Sequence, residues 1–400
     1  MAHRDRPDRR RLDRRTRQQI AVVRPSAIVV GAGIAGLAAA VALKQAQYDV
    51  TVVDRAPELA PAGAALSLWS NAMTALDALG AAAPVVQQAA PITKIVAATA
   101  QGRAIMTVLM ESSFTPHLAT RAMLQSALLS TLGQAPVLAS EICAVSQPAT
   151  HASVQLAGSD VLDADLVVVA DGIWSATAAS LLGTTPYAAG YGGVVALSYR
   201  VPDPIEPGAA TEYWGVGDRF GLFDLGGDRA YWFYMRDGPN SLPPQHTELF
   251  TFAQNYPSAV ARAIEATPPG RLIPFDIHAK RPPRRLGRGR IICVGDAAHA
   301  VEPNLGQGAC QALEDAVALG AVAQVAAPGE VLERFEALRL KRIVTFVRAS
   351  AQARLLAQPR STKLGWVLRQ AARAIPDAIH ARQVTALHRM PDYSAVARSL

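Results

Sequence analysis

Between Ser26 and Asp54 the chain leaves itself few structures to choose from. Ala27-Ile-Val-Val30 is short, apolar and β-branched, Ile34 to Gln45 is rich in helix formers, and Val50-Thr-Val-Val-Asp54 is β-branched again. Gly31-Ala-Gly33-Ile34-Ala35-Gly36 lies between the first strand and the helix. Strand, glycine turn, helix and strand make a βαβ unit, and such units build parallel sheets. The first glycine permits the tight turn, the second lets backbone approach a pyrophosphate, and the third lets helix pack on strand. Asp54 ends the second strand, where a carboxylate hydrogen-bonds a ribose diol. Gly31, Gly33, Ile34, Ala35, Gly36, Asp54 and its neighbour Arg55 are therefore the first cofactor-binding candidates. They imply a dinucleotide without saying which, since an NAD dehydrogenase carries the same features. Ser26 to Leu43 has no charge and is long enough to suggest a membrane span, but glycines at turn spacing break it into strand, turn and helix.

Further along, Arg121 opens a helical pattern with Leu124, Leu128 and Leu132 on one face. Leu166-Val-Val-Val169 is apolar throughout, as in a strand covered on both faces, and it feeds Asp171-Gly172. From Pro186 to Pro274 aromatic and β-branched runs alternate with Gly, Asp and Pro turns, which predicts an antiparallel sheet. Ile291 to Val294 returns to a buried strand, and Ala309 to Ala326 is a strong helix. Beyond Leu332 the chain is amphipathic and Arg-rich to about Ala374, with Pro376 breaking it. We read this as helices with solvated basic faces in preference to a membrane-surface helix.

Charge does not point to nucleic acid. Of the formal +7, residues 1–17 carry +5, from eight Arg against three Asp, which leaves about +2 for the other 383 residues. That Arg/Asp segment has little to bury and is expected to be a disordered, dispensable extension. Cys143, Cys293 and Cys310 form no CxxC pair, so no disulfide framework or zinc site is expected and a reducing cytoplasm is. Cys310 reads as packing. No metal site is assigned.

Residues 295–315 decide the cofactor. They read Gly295-Asp296-Ala-Ala-His299-Ala-Val-Glu302-Pro303-Asn304-Leu-Gly306-Gln307-Gly308-Ala-Cys-Gln-Ala-Leu-Glu314-Asp315, a strand end, a Pro/Gly loop and a long helix. Here the chain resembles the single-component FAD-dependent aromatic hydroxylases, flavoprotein monooxygenases with a para-hydroxybenzoate hydroxylase-like fold. Their fingerprint GDAAHxxxPxxGQGxxxAxEDA is met at every fixed position. The resemblance implies that Asp296 binds the ribityl chain of FAD, that Pro303 walls the reaction side of the ring, and that Gly306, Gln307 and Gly308 meet the pyrimidine edge. Independently, a helix starting near Gly308 aims free N–H groups at a flavin that is anionic when reduced. His299 is read as a packing or hydrogen-bonding residue at the loop start and not as a catalytic base.

Other matches extend the likeness over most of the chain. Ala62 to Asn71 resembles the segment that lies along the flavin, Arg121 the arginine that reaches the cofactor, and Asp171-Gly172-Ile-Trp-Ser175 the motif between FAD and NAD(P)H. That motif normally continues to an arginine where this chain has Ala178. Gly190 to Val195 replaces a Trp-Arg-Gly found in many relatives. Arg200, Tyr213 and Tyr234 are candidate substrate contacts.

The fold these readings predict is α/β. A Rossmann-like FAD-binding domain with a parallel sheet spans 25–185 and 277–345, with an inserted antiparallel β-sheet substrate domain over 186–276, C-terminal helices over 346–400 and a basic tail over 1–24. The resemblance implies a monooxygenase that consumes NAD(P)H and O2, passing one oxygen atom from a flavin C4a-hydroperoxide to an electron-rich aromatic, heteroaromatic or olefinic small molecule, and the cysteine usage places it in the cytoplasm. Nucleic acid and transmembrane segments have no place in this reading. A flavin-dependent reductase of another type, or a flavin-binding protein that has lost turnover, stays open beside it.

Overall fold

The computed structural model describes residues 24–56, 65–110, 115–199, 201, 205–238 and 246–400. Residues 1–23 of the basic tail, residues 62–64 of the 62–71 segment, and Arg200 lie outside them.

The predicted βαβ unit forms as strand Ser26–Val30, helix Ile34–Gln45 and strand Asp49–Asp54. Its first strand lies at the centre of a six-stranded sheet, paired in parallel with Leu166–Val169 on one side and Asp49–Asp54 on the other. Ile291–Cys293 extends the sheet beyond Leu166–Val169, also in parallel, and Val137–Ala139 extends it beyond Asp49–Asp54. Every residue of Leu166–Val169 is buried, as an unbroken apolar run requires. Helix Gly308–Ala323 packs against helix Ile34–Gln45 through small residues. A Cβ on Gly320 would stand 2.9 Å from the Ala42 Cβ, so the two backbones lie close.

The second sheet has seven strands in the order Ile273–Ala279, Tyr187–Tyr199, Arg229–Asp237, Asp218–Asp224, Ala209–Trp214, Lys94–Thr99 and Ala104–Leu109. All its pairings are antiparallel except that between Ala209–Trp214 and Lys94–Thr99. Helices His246–Ala253 and Ser258–Glu265 cover one face over a core of Phe220, Trp232 and Tyr234. The other face turns toward the parallel-sheet half of the molecule. An α/β fold with a parallel sheet beside a largely antiparallel one is thus what the sequence predicts.

The C-terminal region breaks where the prolines and helix caps demand. Helix Val331–Ala357 gives way to Thr362–Arg373, capped by Ser361, and then to Asp377–His388 after Pro376. None of the helices in the described residues is long and apolar enough to cross a membrane.

A buried charge network ties these helices to the parallel-sheet half. Arg339, fully buried, donates from Nε to Asp315 Oδ1 and from Nη1 to Glu314 Oε2, both at 2.8 Å. Arg342 donates two further bonds to Glu314, and the Tyr393 hydroxyl a third at 2.6 Å. Asp315 Oδ2 accepts from the Gly295 N–H at 2.9 Å and lies 2.6 Å from His299 Nε2. Burial alone would raise the pKa of both carboxyls, but the arginines at Glu314, and His299 with Arg339 at Asp315, outweigh it and hold them below the ordinary range. A second tie is aromatic. His388 stacks on Trp69 with ring centroids 4.2 Å apart, and its carbonyl accepts from Ser70 Oγ. Burial pushes the His388 pKa down to about 4.

Two outcomes follow from these ties. Arg339→Met removes the buried cation that Glu314 and Asp315 share and should lower unfolding free energy by about 3 kcal/mol; a loss under about 1 kcal/mol in denaturant titration would show that Arg342, Tyr393 and His299 suffice without it. His388 takes up a proton near pH 6.5 when unfolded but only near pH 4 when folded, so its contribution is complete above pH 6.5 and is lost as pH falls toward 4. Melting temperature against pH should therefore fall less steeply in His388→Gln across that window, and parallel curves would exclude His388 as the titrating group.

Candidate active site

One cavity of about 850 Å³ lies between the two sheets and beneath the C-terminal helices. Its lining divides by chemistry.

One side is built from turns and helix starts. Gly31 adopts φ +101°, and a Cβ there would stand 2.5 Å from the Ala170 carbonyl oxygen, while one on Gly36 would overlap the Gly31 carbonyl at 1.8 Å. These two glycines close the turn and face away from the cavity. A Cβ on Gly33 would meet nothing within 4 Å, and Gly33, Ile34 and Ala35 line the cavity at a helix start that no side chain caps and no acidic residue occupies. The fit to a pyrophosphate is direct, because free N–H groups and the positive end of the helix face open space. Asp54 accepts from the Ala32 N–H at 2.6 Å through one carboxylate oxygen and from the Ala56 N–H at 2.8 Å through the other. It is fixed before any ligand arrives. Arg55 is exposed, and its charge and that of Lys280 act on Asp171.

Arg121 stands at the first position of helix Arg121–Leu132, capped by the Thr120 hydroxyl, and lines the cavity. A cation at a helix N-terminus is electrostatically misplaced without an anion nearby, and the uncapped start of helix Ile34–Gln45 opens on the same cavity. Asp296 and Gly172 also line it, whereas Asp171 stands exposed beside them.

Gly306 and Gly308 line the cavity where helix Gly308–Ala323 begins, again with no side-chain cap. The Gln307 side chain points the other way. It is fully buried and accepts from Asn71 at 3.0 Å and Gln311 at 2.9 Å, so it supports the turn from within. Pro303 lines the cavity between two pinned neighbours. Glu302 accepts from the Tyr191 hydroxyl at 2.9 Å, and Asn304 spans Glu302, Tyr191, Arg219 and the Ser350 carbonyl.

The opposite side is formed by the substrate sheet and the C-terminal helices. Along Ala209–Trp214 and Arg229–Asp237 the side chains alternate between faces. Glu212 and Trp214 on the first strand, with Tyr231, Phe233 and Met235 on the second, face the cavity. Tyr213 and Tyr234 face the covering helices. Tyr213 packs against Tyr256, and Tyr234 is buried, donating to Asp218 at 3.2 Å. The sequence-based choice of Tyr213 and Tyr234 as substrate contacts is thus corrected by one position on each strand. Aromatic residues occupy both faces here, and only the register separates them.

Two polar residues on the cavity-facing side went unnoticed in the sequence. Glu212 sits in an otherwise apolar wall. Arg219, 1% exposed, donates to Asn304 Oδ1 at 2.7 Å and approaches Glu212 Oε2 at 3.5 Å, while its Nε and Nη1 make no hydrogen bond. Alternation within Ala209–Trp214 was the available signal for Glu212. Arg219 carried none, because a buried arginine reads like an exposed one.

Ala178 is fully buried in the core, with its N–H bonded to the Ser175 hydroxyl. No set of three or more His, Cys, Asp or Glu among the described residues could hold a metal.

These features match proteins of known chemistry. A family model for FAD binding domains matches residues 24–350. Aurachin C monooxygenase/isomerase of Stigmatella aurantiaca is 31% identical over 374 residues, covering 89% of this chain and 96% of that protein. 2-Heptyl-3-hydroxy-4(1H)-quinolone synthase of Pseudomonas aeruginosa is 30% identical over 382 residues, covering 91% and 98%. The crystal structure of Klebsiella pneumoniae HpxO complexed with FAD and uric acid superposes with a TM-score of 0.82 at 28% identity, covering 91% of this chain and 96% of that one. With glycine turns, helix starts and a two-sided cavity in the places such chemistry needs, the chain belongs to the FAD binding domain family and is an FAD-dependent monooxygenase of the aromatic hydroxylase type.

Proposed function

We propose that this monooxygenase acts on a bicyclic nitrogen heteroaromatic that carries an apolar substituent, such as a 2-alkylquinolone. The observation that carries this reading is the asymmetry of the cavity. Beyond Pro303 its wall is mostly aliphatic and aromatic, from Ile95, Met106 and Phe233 through Leu356, Leu368 and Ile375 of the C-terminal helices. Such a surface favours a compound with a flat ring and an alkyl arm over one as polar as urate. The names of two relatives, an aurachin C monooxygenase/isomerase and a synthase of 2-heptyl-3-hydroxy-4(1H)-quinolone, agree with it.

In this reading Gly33 and the start of helix Ile34–Gln45 receive the pyrophosphate of FAD, Asp54 a ribose, Asp296 the ribityl chain and Arg121 the adjoining anion. FAD, once reduced by NAD(P)H, supplies the electrons that activate O2 and the transfer of one oxygen atom. The chain's own residues do the rest. The uncapped N–H groups at Gly308 stabilise negative charge at the pyrimidine edge, Pro303 and the apolar wall exclude water, and the fixed Glu302 and Asn304 hold Pro303 in place. Ala178 leaves docking of the nicotinamide to other residues, with the exposed Arg55 near Asp171 as the candidate cation, since Lys280 is buried and donates to the Ala297 carbonyl.

Purified protein should be yellow, and 2-heptyl-4(1H)-quinolone should stimulate its NAD(P)H oxidation and O2 uptake at least tenfold more than urate does. Label from ¹⁸O2 should enter the product. Equal stimulation by urate, or no label in the product, would refute the substrate assignment. Asp296→Ala should weaken FAD retention about tenfold or more, as expected for a lost charge-assisted hydrogen bond; full flavin occupancy after dialysis would remove Asp296 from the cofactor site.

A further inference from the structure

We infer that Glu212 orients the substrate by accepting a hydrogen bond from a ring N–H, so that the cavity selects neutral N–H heteroaromatics and turns away aromatic carboxylates. This inference rests on the substrate class proposed above.

Glu212 lies within strand Ala209–Trp214, where its cross-strand partners are Gly221 and Ala97. Neither neighbour crowds the carboxylate, and the Phe233 ring fills the space over Gly221, where a Cβ would come within 2.2 Å of it. One carboxylate oxygen is held. Oε2 accepts from Trp214 Nε1 at 3.1 Å and lies 3.5 Å from Arg219 Nη1. No described residue hydrogen-bonds Oε1, and Glu212 lines the cavity.

Arg219 gives this acceptor its position. Its guanidinium is buried, stands 5.5 Å from the Phe233 ring centroid, and donates to Asn304, the residue that follows Pro303. The carboxylate is thereby linked through a single arginine to the loop that walls the reaction side of the flavin. A substrate that donates to Glu212 is fixed in register with that loop. Arg219 backs Oε2 from within the sheet and is 1% exposed, so the edge that Glu212 presents to the cavity is the acceptor Oε1, which rewards a neutral donor and disfavours a carboxylate.

The probes are 2-heptyl-4(1H)-quinolone, its N-methyl derivative and salicylate, titrated into FAD-loaded protein and followed by the change in flavin absorbance. Wild type should bind the N–H quinolone about 10- to 100-fold more tightly than the N-methyl compound. Glu212→Leu should bring the two within about threefold by weakening the first, and should admit salicylate. Glu212→Gln keeps the shape of the side chain and should retain part of the preference, with salicylate binding restored. An unchanged N–H preference in Glu212→Leu would mean that methylation acts by bulk and would overturn the inference, as would wild-type protein that binds both quinolones alike or neither. Should the Leu variant fail to fold, the Gln variant decides through salicylate alone, and continued exclusion there would overturn the inference. The two readings fail separately, because label from ¹⁸O2 entering both quinolones at equal rates would leave the substrate class standing and remove the role of Glu212.

Discussion

Arg339 holds this molecule together at the point where its halves must agree. Its guanidinium engages Glu314 and Asp315, adjacent residues on the helix whose first turn opens on the cavity. Through Asp315 it reaches the Gly295 N–H and His299, and so the end of strand Ile291–Cys293. Through Glu314 it reaches Asn71, Arg342 and Tyr393, and so both the helix after strand Ala65–Leu68 and the C-terminal end of the chain. Buried charges need partners, and these partners come from segments far apart in sequence. The placement of the Gly306–Gly308 turn is thus a consequence of charge pairing about two helical turns deeper.

The cavity itself is a seam. On the parallel-sheet side its lining includes Gly33, Gly172, Gly306 and Gly308 at turns and helix starts, where free N–H groups suit phosphates and other anions. On the antiparallel side it is almost entirely side chain, with Glu212 as an ionisable exception beside the buried Arg219. The first kind of lining suits one cofactor. The second kind suits whatever shape the alternating strand residues happen to make.

That contrast also explains what the sequence made legible. Gly31, Gly33 and Gly36 could be placed because each answers a backbone requirement that leaves a mark in spacing, and Gly306 and Gly308 because a long fingerprint contains them. His299 sits where a hydrogen-bonding residue was expected. The helix breaks near Pro376 and Ser361 follow from capping chemistry. Tyr213 and Tyr234 were misplaced because aromatic residues line both faces of their strands, and hydrophobicity carries no sign that tells cavity from core. Gln307 belongs to the fingerprint, yet its side chain serves the buried network and only its backbone borders the turn. Arg219 and Glu212 meet across strands, and no local pattern announces a pairing of that kind.

The roof of the cavity has a consequence for how such a protein can diverge. Helices Thr362–Arg373 and Asp377–His388 meet the parallel-sheet half mainly through the Trp69 and His388 stack, and the antiparallel sheet through bonds to strand ends, such as that from Arg369 to the Gly215 carbonyl. Their inward residues, Leu368, Ala372, Ile375 and Val384, line the chamber from helices that lie outside the glycine turns of the parallel-sheet half. Exchange among apolar residues there reshapes the chamber while leaving the redox half intact. The architecture thereby separates inheritance of the oxygen chemistry from inheritance of its target, so that descendants can change diet without relearning how to breathe.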